Sequence, residues 1–214
     1  MVKGSVPEHA PVACSPLRVV GPTEIRFGWE VSAIRSTAEL RLADLTPLAK
    51  VLVRAQTDGR VAARLGVPLG RAARDAYGTL VIGSGPGEWL LLGAPGSTDQ
   101  MAARIDRCDD GLVTVLDYTH GRALMRLSGP TAGETLAKLC PIDLTDRTSP
   151  DGTALRGPVA HLATDIVRDD MGHDMGCTRS YLLHCERSSG QYLFDALLDA
   201  GDEFGIKPDG FAYP

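Results

Sequence analysis

Twice in this chain a pair of strand-like apolar runs gives way to a helical stripe, and that change of period restricts the fold more than any other feature. In residues 79–92 two apolar runs flank Gly83-Ser84-Gly85-Pro86-Gly87, which predicts a hairpin with glycines in its turn. Ser97 or Thr98 then caps a helix whose Met101, Ile105 and Cys108 fall at i, i+4 and i+7, with Asp99 favourable to the dipole at its start. From Leu112 the order repeats. Val113 and Val115 alternate with polar neighbours, Ala123, Met125 and Leu127 do so again, and the two adjacent strands enclose Thr119-His120-Gly121. Gly129-Pro130 opens a helix striped by Leu136, Leu139 and Cys140 and stopped by Pro141.

The remaining segments fit around this pattern. Leu40, Leu42 and Leu45, then Val51, Leu52 and Val53, predict two strands broken at Thr46-Pro47. Residues 57–78 read mainly as loop, with a helical turn over 61–65, and 145–157 as polar and turn-rich. Residues 159–167 and 180–185 read as strands joined by a loop. A last helix is capped by Ser188 or Ser189, carries Leu193, Leu197, Ala200 and Phe204 on one face, and ends at Gly205 with Pro208 beyond. Residues 1–37 mix Pro, Gly and Ser, with one short strand through Ile25, Phe27 and Trp29. They read as an arm too poor in apolar residues to fold by itself. The expected organisation is an arm (1–37), a first α+β half (38–110) and a second α+β half (111–214), an α+β class rather than a doubly wound parallel sheet.

Composition bounds the function. A net charge of −5 argues against a surface built to neutralise phosphates. Lysine is limited to Lys3, Lys50, Lys138 and Lys207, and an arginine-rich surface suits carboxylate and interface pairing. Five cysteines without tight spacing, and a start lacking an apolar signal core, point to reduced thiols and a cytoplasmic address. No run approaches the ~18 apolar residues of a membrane span.

Candidate chemistry is sparse. Asp169, Asp170, His173, Asp174 and Cys177 gather metal-ligating types, with His161, His184 and Cys185 as further donors if strands align them. Their spacing follows no zinc rule, and residues 169–177 read as a solvated hairpin tip. No cysteine or serine sits in a nucleophile motif, and Cys108 and Cys140 read as core residues. The glycine cluster at 83–87 lacks the Lys-Ser/Thr of a phosphate loop. Asp117 and Arg122 flank a turn between expected paired strands, which predicts a local ion pair.

Taken in order, Ser15-Pro16-Leu17, residues 85–92 (GPGEWLLL), 115–130 (VLDYTHGRALMRLSGP), 139–144 (LCPIDL) and the pattern Ser188, Tyr192, Leu193, Asp195 resemble the gamma-subunit family of heterotetrameric sarcosine oxidases. The resemblance spans residues 38 to 205. It implies a fold related to the folate-binding part of the glycine-cleavage T-protein. It also implies a non-catalytic subunit partnered by larger alpha and beta subunits and a small delta subunit, with no nucleic-acid or membrane partner. FAD, FMN, NAD and tetrahydrofolate are then expected in the partner subunits, with no cofactor and no metal held by this chain. Glu88, Asp117 and Arg122 are the positions that face the folate pocket if this chain keeps one. The alternative function is a free-standing folate-binding module or one-carbon transferase with a pterin between its halves. The Gly-Gly-x-x-Asp-Asp-like stretch that bears the T-protein's catalytic aspartate has no counterpart here, and Tyr118, Thr119 and residues 168–178 depart from the gamma pattern.

Overall fold

Residues 89–92 are Trp-Leu-Leu-Leu without a polar break because both faces of their strand are covered. A computed structural model, describing residues 11–18, 20–105, 111–172 and 177–211, shows what covers them. In chain order the elements begin with β1 (Ala13–Cys14), β2 (Thr23–Arg26), β3 (Trp29–Ser32), β4 (Arg41–Asp44) and β5 (Ala49–Arg54). Next come α1 (Arg60–Leu65), β6 (Ala72–Arg74), β7 (Leu80–Gly85), β8 (Glu88–Gly93), α2 (Thr98–Ala103) and β9 (Thr114–Asp117). The rest are β10 (Arg122–Ser128), α3 (Ala132–Ala137), β11 (Ala154–Val159), β12 (Leu162–Arg168), β13 (Ser180–Glu186), α4 (Gly190–Gly201) and β14 (Lys207–Asp209).

Two sheets dominate, one ordered β6-β7-β8-β5-β9 and the other β11-β12-β13-β10-β4-β14. Their facing sides share one apolar layer, in which Leu80, Ile82, Leu90 and Leu92 meet Leu124, Val167 and Leu182. The alternate residues point outward. Val51, Val53, Trp89 and Leu91 pack on Val61 of α1 and on Met101 and Ile105 in and after α2. Met125, Leu127, Tyr181 and Leu183 pack on Leu136 of α3 and on Leu193 and Leu197 of α4. The result is four layers (helices, sheet, sheet, helices), an α+β architecture as expected.

The first hairpin forms where expected, but its glycines do different work. Gly83 lies within β7, and a Cβ there would meet the carbonyl oxygen of Pro68 at 2.2 Å, so the position admits the close approach of the 68–69 backbone. Only Gly87 of this cluster has a positive φ, 65°. The helix caps differ as well: the Ser97 hydroxyl donates to the Ala94 carbonyl, and Ser189 makes no side-chain cap.

Three expectations need correction. First, β9 and β10 are not partners: β9 pairs with β5 in one sheet, and β10 pairs with β13 and β4 in the other. The apolar residues of the two runs face different layers, so sequence proximity does not bring them together. Second, residues 159–167 are not one strand. Ala160 and His161 take φ of 47° and 66° and turn β11 back along β12. Third, the strand expected at 25–29 is a hairpin turning at Phe27-Gly28, where both φ values are positive.

The described residues of the 1–37 segment pack against the rest of the chain, with Trp29 and Val31 buried in the layer between the sheets. Trp29 stacks on His120 at 4.8 Å, Phe27 sets its edge to Phe211, and Arg187 donates to the Cys14 carbonyl. Strand β14, containing Pro208, pairs in parallel with β4 at the sheet's edge, the place where a proline is tolerated. The sheets do not follow the 110/111 division: β4 joins the sheet of the later strands, and β9 joins that of the earlier ones.

Candidate functional site

Strand alternation carries the interlayer outward until its residues turn polar. Two positions along from Leu90, Leu124, Leu182, Val167 and Ala154 of that layer, and from the buried Leu52, stand Glu88, Arg122, His184, Asp165, Arg156 and Arg54. Because directly opposed residues point to the same face, cross-strand pairing gathers the polar six. Arg54 opposes Glu88, Asp165 opposes both His184 and Arg156, and Arg122 opposes Glu186. Arg54, Glu88, Arg122, Arg156 and His184, with Ser84, Leu52, Leu90 and Tyr118, line a cleft of about 100 Å³ between the sheets.

Ion pairs hold the walls. Arg54 reaches Glu88 at 2.8 Å, Arg156 donates through Nε to Asp165 at 2.5 Å, and Arg156 Nη2 stands 3.6 Å from the other Glu88 oxygen. Arg122 pairs with Glu186 at 2.8 Å, approaches Asp165 at 3.8 Å and lies over the Tyr118 ring. The bond to Asp165 raises the pKa of Arg156 further.

His184 is 3% exposed, and burial pulls its pKa down to about 4, against the opposing pull of Asp165. Its Nδ1 lies 3.4 Å from Asp165 Oδ2 without hydrogen-bond alignment. Both ring nitrogens, and Nε of Arg122, are buried with no hydrogen-bond partner among the described residues.

Of the residues expected to face a pocket, the structure brings Glu88 and Arg122 to this cleft and leaves Asp117 outside it. Asp117 is exposed and accepts from the Thr119 amide at 2.8 Å. The expected Asp117–Arg122 ion pair gives way to the pairs of Arg122 with Glu186 and Asp165, because β9 and β10 belong to different sheets. The sequence carries no local signal that marks Arg54, Arg156 or Asp165, and it offers His184 only as a metal donor.

Two carboxylates of the suspected metal cluster are engaged by arginines. Asp169 is held by Arg74 and Arg126, and Asp170 by Arg168. His173 and Asp174 lie outside the described residues, Cys177 is exposed, and His161 stands at the tip of the β11–β12 turn. Among the described residues no group of three or more His, Cys, Asp or Glu is placed to hold a metal ion. Burial pushes the thiol pKa of Cys140 up and that of Cys185 up to about 11, which keeps both as thiols. No helix among the described residues is long and apolar enough to cross a membrane.

The model of the GCVT N-terminal domain matches residues 78–212, more than half of the chain. The sarcosine oxidase subunit gamma of Corynebacterium sp. strain U-96 is 31% identical over 184 residues, 82% of this chain and 84% of that subunit. The chain belongs to the GCVT family and, within it, to the sarcosine oxidase gamma subunits. The gamma subunit from Corynebacterium sp. strain P-1 is 29% identical over 65% of this chain and 65% of that one, so this second alignment leaves about a third of each unmatched. A chain of the heterotetrameric sarcosine oxidase from Corynebacterium sp. U-96 superposes with a TM-score of 0.65 at 26% identity, covering 81% of the present gamma-type chain and 89% of that chain. The glycine cleavage aminomethyltransferase T of Bartonella henselae, 15% identical, shares the fold with a TM-score of 0.62, covering 88% of this chain and 55% of that one. The resemblance read from the GPGEWLLL, RLSGP and CPIDL segments therefore identified the family, and the fold is the aminomethyltransferase-like one.

Proposed function

We propose that this chain is a non-catalytic gamma-type subunit of a cytoplasmic, heterotetrameric sarcosine oxidase-like flavoenzyme. That assembly oxidatively demethylates sarcosine and passes the one-carbon unit to tetrahydrofolate. FAD, FMN, NAD and tetrahydrofolate sit in the partner subunits, and larger alpha and beta chains with a small delta chain complete the assembly. The observation that carries this reading is the near full-length match to a gamma subunit, 84% of whose length is covered. The local chemistry supports it. Buried thiols held in the protonated form are poor nucleophiles, and the cleft's carboxylates are engaged by guanidinium groups rather than by a nucleophile and its base.

A free-standing folate-binding module is the second reading, favoured by Glu88 and Arg122 sharing one cleft. A cleft of about 100 Å³ is small against the roughly 300 Å³ or more that a ligand of folate's size occupies, which favours the subunit reading. Co-expression with the flavin-bearing subunits, followed by affinity capture and mass measurement, tests the choice. A stoichiometric complex is expected. A stable monomer that ignores the alpha chain and binds tetrahydrofolate with micromolar affinity in calorimetry would reverse it.

A further inference from the structure

Two residues that line the cleft between the sheets carry buried groups that the protein itself leaves unanswered. His184 Nδ1 and Nε2 and Arg122 Nε have no partner among the described residues, although each is shielded from solvent. An unanswered buried donor costs about 1–3 kcal/mol, so a site with several such groups is built to receive something. The volume of about 100 Å³ holds several water-sized groups and falls short of a drug-sized ligand, which limits the occupant to a few heavy atoms.

Charge and geometry select its chemistry. Arg54, Arg122 and Arg156 line the cleft against the single carboxylate of Glu88. Asp165 lies behind the wall on Arg156, and Glu186 meets Arg122 from the solvent side, 63% exposed. The unanswered Arg122 Nε is a donor, and a neutral imidazole offers one N–H donor and one acceptor nitrogen. Donors therefore predominate, and a planar guanidinium beside an imidazole N–H matches two coplanar oxygens.

We propose that this cleft, walled by Arg122, Arg156 and His184, is a binding site for a small carboxylate anion. The proposal stands apart from the subunit reading, since it concerns this chain's own cavity and no partner's chemistry. The direct test adds sodium acetate to the 15N-labelled full chain at constant ionic strength, with sodium chloride and sodium sulfate as parallel arms. Side-chain imidazole resonances of His184 and calorimetry provide the readouts. Acetate is expected to shift the His184 signals saturably, chloride to leave them unmoved and sulfate to bind more weakly. Arg156→Gln and His184→Gln should each weaken acetate binding at least tenfold. Arg156 is half exposed, so its variant serves if the histidine variant fails to fold. Acetate acting no differently from chloride, sulfate binding as well as acetate, or affinity unchanged by Arg156→Gln would overturn the proposal.

Discussion

His184 makes the folded state sensitive to acid. Its ordinary pKa is near 6.5 and burial holds it at about 4, with Asp165 attracting the proton while Arg122, Lys50 and Arg156 oppose it. Between those values the unfolded chain binds a proton that the folded chain refuses. Stability from this group is therefore complete above pH 6.5 and falls away as pH drops toward 4, by about 3 kcal/mol at about 1.4 kcal/mol per pH unit. Urea midpoints measured at pH 7 and pH 4.5 should differ markedly more in the native chain than in His184→Gln. Equal differences would refute the assignment. Lys50 is another buried basic group, its pKa pulled by burial down to about 7. Its Nζ donates to the carbonyls of Thr46, Leu48 and Thr119 at 2.7, 3.0 and 3.3 Å, using all three ammonium hydrogens and favouring the charged form.

Among the elements, the β11–β12 hairpin carries local strain. Ala160 and His161 both hold positive φ, the mirror-image turn that suits strand twist but disfavours side chains, and His161 is the exposed member. His161→Gly is expected to stabilise the chain by about 0.5–1 kcal/mol, the relief of left-handed strain outweighing glycine's added unfolded-state entropy, seen as a rise of roughly 1–4 °C in the thermal midpoint. A lowered midpoint would mean that the imidazole contributes more than the strain removes. This turn also shows where the sequence falls silent. An Ala-His turn lacks the Asn-Gly punctuation that marks such reversals, so residues 159–167 read as one strand. The hairpin over 79–92 and helix α4 were legible because Gly/Pro clusters and the Leu193–Leu197 stripe act locally. Strand β14 was not, since Pro208 reads as a stop and only its place beside β4 makes it an edge strand. The cleft was half legible: Glu88 and Arg122 came from the family likeness. Arg54, Arg156 and Asp165 become neighbours only once the two sheets are known to face each other.

For the whole molecule, the exchange of β4 and β9 makes the two sheets one cooperative unit. Each sheet contains a strand from the other stretch of chain, so neither stretch closes its own hydrogen bonds. Residues 1–110 and 111–214, produced separately, should each remain largely unfolded, and mixing them should restore native-like far-UV dichroism and dispersed amide resonances. Independent folding of either piece would show that the exchanged strands are dispensable. The same exchange governs synthesis. The edge of β4 that β14 covers has no mate until residues 207–209 have been translated, at about 5–20 residues per second a wait of ~10 s or more. Through that interval the nascent chain presents an unpaired β edge to its surroundings, so early chaperone protection is worth most at Arg41–Asp44.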